Sequence, residues 1–341
     1  MKNLMDYTLK ERQEIILVVA DTMKMSPVII EKDYWVSWLI NVLFSCPYLQ
    51  RDIVFKGGTS LSKGYNAINR FSEDIDISLS RKLIGFNTDL DYYKNLTNSK
   101  RRRVIRKEMV PKYLKYLETE FKNKLDDIIR ENIDNHPFEV EYVPVKDKEH
   151  FTIKYPKSIE DELGYIHSYI KIDPGIKSMQ FPVENKKIIP FIYQELSELS
   201  TDTEYVDVSC LSIERTFYEK ITLLHSVYYR ANNLKNAFNK GLSRHYYDVY
   251  KLIKQGSNVR NLSLLSDVVE HKKTFYTDNN SNYDEALSAI KLLPHDDFYQ
   301  ELKNDYKDME VMFYDRIPSF DEIIDTLRDY ESIFEEQLGR N

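Results

Sequence analysis

Two cysteines in 341 residues, Cys46 and Cys210, are too few and too far apart for a disulfide framework or a CxxC metal clip, a usage that fits a reducing compartment. Glycine is scarce as well. Nine residues, against about 7% in average proteins, exclude collagen-like and Gly-rich linker segments and lead to an expectation of long helices. No window of about 18 apolar residues occurs, so no transmembrane helix is expected. The first twelve residues are polar and mixed in charge and lack the order of a signal peptide, so the expected location is cytoplasmic, with no membrane partner. Net basicity is missing too: 48 Lys and Arg stand against 55 Asp and Glu, a net charge of −7. Any nucleic-acid contact must therefore use a local patch. What remains, 42% apolar and 30% charged, describes a folded chain long enough for about two domains.

Apolar residues recur at helical spacing from Leu9 to Pro47, and two helices are the economical reading, the second starting at Ser26-Pro27 as cap and first turn. Arg51 to Lys56 alternates as a short strand, followed by Gly57-Gly58-Thr59-Ser60 and a helical stretch, and Asp74 to Ser80 alternates as a second strand. Asn98 to Asn132 has no glycine and reads as a long helix with a break possible at Pro111. Phe138 to Val145, Phe151 to Tyr155 and Ile166 to Asp173 alternate as strands, Ile188 to Tyr193 is a weaker candidate, and helical periodicity holds from Ile213 onward. Helices, then mixed strands, then helices predict an α+β fold: N-terminal helices over 1–50, a core over 51–212 with a helical insertion near 98–132, and a C-terminal helical domain over 213–341.

Three of the nine glycines, Gly57, Gly58 and Gly64, fall within eight residues. A turn needing positive φ explains them, and so does a phosphate cradle in which small residues let backbone N–H groups and the Thr59, Ser60 and Ser62 hydroxyls approach a triphosphate. Lys63 lacks the preceding glycine of a P-loop, and no GxGxxG occurs. Asp74 and Asp76, two apart on a strand, project from one face together with Ser72, while Ile75 and Ile77 enter the core. Two carboxylates about 4 Å apart repel by roughly 1 kcal/mol in water and about 4 kcal/mol at an effective dielectric of 20, so such a pair commonly means a cation between them, and all-oxygen ligands suit Mg²⁺. A solvated edge strand would also carry the pair. Lys100 to Arg103 with Arg106 and Lys107 is the densest basic run and can be read either as a track for a phosphate backbone or as a solvated helix start.

The stretch FKGGTSLSKGYNAINRFSEDIDISL resembles the AbiEii-type toxin nucleotidyltransferases of bacterial abortive-infection toxin-antitoxin systems, within the polymerase-beta-like superfamily. The likeness continues at Glu31-Lys32-Asp33-Tyr34-Trp35, at RTFYEKITLLHSVYYR, whose Lys220 matches a family lysine, and at RHYYDVYKL, whose Asp248 matches a family aspartate. It implies a mixed-sheet nucleotidyltransferase core that binds an NTP at Gly57, Gly58, Thr59, Ser60 and Ser72 and holds Mg²⁺ or Mn²⁺ on Asp74 and Asp76. Lys220 would act on the phosphates, with Asp248 positioning the lysine or substrate. Asp173 is the candidate third metal carboxylate, in competition with Glu139 and Glu141. A separately encoded antitoxin, a role in phage defence and an RNA acceptor such as a tRNA 3′ end follow from the same resemblance. From the residues alone, Lys220 can also be a lysine snorkelling from a buried stripe, and Asp248 a partner of Arg244 or Lys251. Two rival functions are a DxD glycosyltransferase, which needs alternating strands and helices before the DxD, and a non-catalytic helical interaction protein.

Overall fold

The computed structural model describes residues 4–133, 138–146, 148–160, 166–200, 205–233, 240–256, 261–276 and 279–339. The chain divides into two compact units: Met1–Asn66, Phe71–Thr88 and Arg103–Leu211 form the first, and Ala67–Arg70, Asp89–Arg102 and Ser212–Asn341 the second.

Two helices open the first unit. Helix α1 (Leu9–Met23) starts at a capping box, in which Thr8 and Glu11 satisfy each other's backbone N–H groups. Helix α2 (Pro27–Ser45) starts at Ser26, whose hydroxyl accepts the Val28 N–H, with Pro27 in the first turn where its missing N–H costs nothing. Among the described residues seven strands follow: β1 (Ile53–Lys56), β2 (Asp74–Leu79), β3 (Glu139–Val143), β4 (His150–Lys154), β5 (Ile170–Gly175), β6 (Val183–Lys186) and β7 (Val208–Leu211). They form one mixed sheet in the order β3-β4-β5-β2-β1-β7-β6. Strand β2 is central, antiparallel to β1 and parallel to β5, and β1 runs parallel to β7. This is the α+β architecture that the order of elements predicts, with the mixed sheet that the family resemblance implies.

Three local readings need correction. Ile188 to Tyr193 is no strand: a short helix, Phe191–Glu195, follows Pro190, and the Phe191 N–H donates to Asp33 Oδ2 at 2.6 Å instead of to a ladder. Strands β6 and β7 escape the sequence pattern, because the first is a polar edge strand and the second is four mostly buried residues without alternation. No break occurs at Pro111. Two wide π turns, Val104–Met109 and Leu117–Phe121, keep 98–132 helical, and the first relieves the clash that a proline ring makes with the preceding turn.

Ile75 and Ile77 of β2, Ile170 and Ile172 of β5, and Phe151 and Ile153 of β4 are wholly buried, as are Leu117, Phe121 and Leu125 of the long helical run. The Phe121 and Phe151 rings lie 5.5 Å apart, and the Tyr113 hydroxyl donates to the Pro174 carbonyl at 2.6 Å, so the run is fastened to this face of the sheet.

Helix α2 is buried nearly all round, and with it three consecutive charged residues, Glu31, Lys32 and Asp33, each no more than 2% exposed. Each meets a different partner. Glu31 accepts the N–H groups of Ser158 and Ile159 at 2.5 and 3.3 Å. Lys32 pairs with Glu73 and donates to the His167 carbonyl at 2.6 Å. Asp33, besides accepting from Phe191, pairs with Lys63 Nζ at 2.8 Å, and that ammonium lies 4.0 Å over the Phe191 ring. Burial pushes the Asp33 carboxyl up and the Lys63 ammonium down, and each partner opposes the other's shift.

The second unit is helical. Within it the Ser243–Lys254 helix packs on Ile213–Asn233, Tyr299–Asp308 and Phe320–Gly339. Asp305 caps it from outside, accepting from the N–H groups of Gly241 (2.6 Å) and Ser243 (2.9 Å) and from the Ser243 hydroxyl (2.6 Å). Among the described residues no helix is long and apolar enough to cross a membrane.

Removing one member of the Asp33–Lys63 pair leaves the other charge buried alone. Lys63→Ala should lower stability by about 3–5 kcal/mol, whereas the paired change Asp33→Asn with Lys63→Met should recover much of the loss. Both tryptophans of the chain, Trp35 and Trp38, lie on α2. Urea unfolding followed by their fluorescence therefore reads this unit, and equal stability of Lys63→Ala and the native chain would contradict the expectation.

Candidate functional site

Strand β1 runs directly into Gly57, whose φ of 82° belongs to the left-handed region, and then into a helical turn, Gly57–Thr59, that continues as a wide turn over Ser60–Gly64. A Cβ on Gly57 would lie 2.0 Å from Asp76 Oδ2. The Asp76 carboxylate therefore rests against bare backbone, and the Gly-rich turn and the DxD strand form one surface. The Thr59 hydroxyl is buried, donates to the Asp74 carbonyl at 2.5 Å and lies 2.9 Å from the Ser72 hydroxyl, while the Ser60 hydroxyl donates to the Gly57 carbonyl at 3.0 Å. In this structure the Thr59 hydroxyl is bonded to β2 and the Ser60 hydroxyl to the turn. Ser72 is buried beside them, and Gly58 is half-buried. Lys63 is turned to Asp33, so it is no P-loop lysine.

The carboxylates belong to adjoining strands. In the parallel register of β2 and β5, Asp76 stands beside Asp173 and Asp74 beside Lys171. On the other flank Lys56 of β1 stands beside Asp76. Partners in register share a face, so Lys56, Asp74, Asp76, Lys171 and Asp173 line one side while Ile75, Ile77, Ile170 and Ile172 fill the other. Glu139 and Glu141 do not join them, since β4 and β5 separate their strand from β2, and Glu139 pairs with Lys154 at 2.6 Å.

Burial first, then the charge of Asp76, pushes the Asp173 carboxyl up, against the pull of Lys171, whose Nζ lies 2.7 Å away. Burial works against the Lys171 ammonium, but Asp173, Asp74 and Asp76 outweigh it and hold it above its ordinary value. Lys171 was not among the expected residues, although the alternation of Tyr169, Lys171 and Asp173 in the sequence puts all three on one face. A half-exposed group of hard oxygen donors suits Mg²⁺ or Mn²⁺. Among the described residues no three such side chains form a preassembled cage. Mg²⁺ sites completed by substrate phosphates need only one or two carboxylates.

Lys220 and Asp248 belong to the second unit, and there the structure brings them together. Asp248 is wholly buried and accepts from Arg70 at two points, Nε to Oδ1 at 2.8 Å and Nη2 to Oδ2 at 2.9 Å, while Lys220 Nζ lies 2.9 Å from Oδ2. Lys220 is thus a buried, paired lysine and not a snorkelling one, and Asp248 pairs with neither Arg244 nor Lys251. Burial opposes the Asp248 charge, yet Arg70 and Lys220 hold its carboxyl well below the usual carboxylate range. Two cations share one anion, so burial lowers the Lys220 ammonium even though Asp248 favours it. His245, with Nδ1 3.4 Å from Lys220 Nζ, is kept neutral by burial and the cations around it. Arg70, like Lys171, was missed by the sequence reading. Its position, four before Asp74, carries no helical or strand pattern that would pair it with a residue 178 positions later.

A half-exposed row of carboxylates at the centre of a mixed sheet, set against a Gly-rich turn, is a layout suited to phosphoryl chemistry. The family model described as the nucleotidyl transferase AbiEii toxin of type IV toxin-antitoxin systems matches residues 39–326, and the chain belongs to that family. It is a nucleotidyltransferase, the toxin component of such a system, with an NTP as substrate and an antitoxin as its implied partner. A comparison with curated proteins yields no match. Among solved structures the chain is similar to MenT4, a nucleotidyltransferase toxin from Mycobacterium tuberculosis H37Rv, at 12% identity and a TM-score of 0.35 over 87% of this chain and 99% of that one.

Gly57→Ala should be far more damaging than an ordinary glycine substitution, because it combines an unfavourable φ with a 2.0 Å clash on Asp76. The expected outcome is loss of Mg²⁺-dependent nucleotide binding, read by titration calorimetry, in a chain whose circular dichroism is unchanged. In the second unit, a carboxyl whose folded pKa is depressed adds stability that is present above its unfolded value, about 3.9, and is lost as pH falls. The helical signal should therefore weaken below about pH 4. Asp248→Asn should be less stable at neutral pH and show a flatter acid limb.

Proposed function

We propose that the Asp74 and Asp76 face is the catalytic surface, that these carboxylates hold Mg²⁺ or Mn²⁺ with Asp173 as third ligand, and that a nucleotide passes from an NTP to a hydroxyl of RNA such as a tRNA 3′ end. The observation that carries this reading is the packing of the Asp76 carboxylate against the bare backbone of Gly57, which ties the DxD strand to the Gly-rich turn. A divalent cation bound there supplies charge neutralisation at the phosphates and a more acidic acceptor hydroxyl. The chain's own contribution is positional. The β1–β2–β5 register fixes the carboxylates, the Thr59 hydroxyl holds the start of β2, and the turn presents backbone N–H groups. The acceptor oxygen bonds to the α-phosphorus as the bond to pyrophosphate breaks, and the hydroxyl proton leaves to solvent.

For Lys220, which the family resemblance connects with the phosphates, we propose that Asp248 serves to orient it. RNA as acceptor is supported by exposed basic residues, Arg103, Arg106 and Lys107 in the first unit and Lys100 and Arg102 in the second, in a chain that is acidic overall. Phage defence through growth arrest follows from the same reading. The glycosyltransferase alternative lacks support: α1, α2 and one strand precede the DxD in place of alternating strands and helices.

Incubating the purified chain with each labelled NTP, Mg²⁺ and total RNA tests the proposal. Label should enter RNA, and Asp74→Asn and Asp76→Asn, which keep size and strand geometry, should each lower transfer by orders of magnitude and abolish growth inhibition on expression. Full transfer by a folded Asp74→Asn chain would remove the catalytic assignment.

A further inference from the structure

His167 and Tyr169 form an aromatic stack next to the carboxylates, with ring centroids 5.0 Å apart and planes within 6° of parallel. Tyr169 is half-exposed and His167 exposed. Alternation puts Tyr169 on the same face as Lys171 and Asp173, about 7 Å along the strand from Lys171. Lys171 stands beside Asp74 in register, so the stack borders the DxD.

The backbone of His167 is held more firmly than an exposed residue requires. Its N–H donates to Glu73 Oε2 at 3.2 Å and its carbonyl accepts from Lys32 Nζ at 2.6 Å. Both members of one buried ion pair thus grip this single residue, and Glu73 immediately precedes Asp74. The ion pair that anchors the start of the DxD strand also sets where the His167 ring stands. An exposed, preoriented, parallel aromatic pair offers a flat apolar face that any nucleobase can cover, and stacking needs no particular base identity.

Resting on the catalytic reading above, we propose that His167 and Tyr169 are a nucleobase-stacking platform that holds the base of a nucleotide whose phosphate lies at the Asp74 and Asp76 face. The base belongs either to the incoming NTP or to the terminal residue of the acceptor RNA. The chemistry is the same for both, and kinetics distinguishes them.

The test uses the full chain carrying His167→Ala or Tyr169→Ala, with KM measured separately for NTP and for RNA, and with inhibition by tripolyphosphate, which has phosphates but no base. Loss of one stacking surface should raise KM about tenfold for the ligand whose base is held. Inhibition by tripolyphosphate should stay as in the native chain, and His167→Trp and Tyr169→Phe should restore the native KM. A rise confined to NTP assigns the base to the incoming nucleotide, and a rise confined to RNA assigns it to the acceptor. Unchanged KM for both ligands would overturn the platform, and so would a parallel loss of tripolyphosphate inhibition, which would mean that the whole face had been disturbed. A native chain inactive with every NTP would overturn the catalytic reading instead. In that event NTP and RNA affinity, by titration calorimetry, would still decide the stack: equal affinity of native and Tyr169→Ala chains for every NTP and for RNA refutes it.

Discussion

Glu31, Lys32 and Asp33 can be buried only if each finds a counter-group, and that requirement organises the first unit. Lys63 lies in the turn that follows β1, and Glu73 lies one residue before β2, so Asp33 and Lys32 on one helix hold both the turn that carries the glycines and the start of the DxD strand. A buried pair adds little net stability over an apolar core of the same volume, but breaking it is costly. The value of such pairs here is that they reject alternatives. A slip of the turn or of β2 by one residue would strand two charges in the interior.

The same logic continues outward to the surface of the sheet. Asp74, Asp76 and Asp173 share one face, and like charges on neighbouring strands weaken pairing unless something offsets them. Lys171 does so from within the row, bonded to Asp173 and standing beside Asp74. Gly57 supplies the remaining requirement, which is steric: the Asp76 carboxylate lies where any side chain on residue 57 would have to go. Charge pattern and the absence of a Cβ together produce a half-exposed acidic surface, the one proposed above to hold a cation with its nucleotide.

The second unit places a different kind of cluster at its centre. Asp248 accepts from Arg70 at two points and also neutralises Lys220, and His245 stays uncharged alongside. Ser243–Lys254, the helix that carries Asp248 and His245, has its N-terminal N–H groups satisfied by Asp305 from another helix, so its position depends on tertiary contacts at both its start and its middle. Lys220 is accordingly held by its surroundings rather than by its own helix.

Much of this was legible in the sequence because it is local. Alternation in Asp74 to Ser80 places both aspartates on one face, Ser26-Pro27 announces the start of α2, and glycines clustered after a strand announce a turn. Family motifs supplied what periodicity does not, singling out Lys220 and Asp248. The partners were not legible. No pattern in the chain says that Lys32 finds Glu73, that Asp33 finds Lys63 or that Asp248 finds Arg70, and none says that the Thr59 hydroxyl donates to the Asp74 carbonyl. The residue sequence by itself determined which side chains share a face, since that follows from the 2.0 and 3.6 periods of strand and helix. Only the tertiary structure decided which faces meet, because a charge is buried wherever the packing of distant segments brings its counter-charge, and sequence separation has no bearing on that distance.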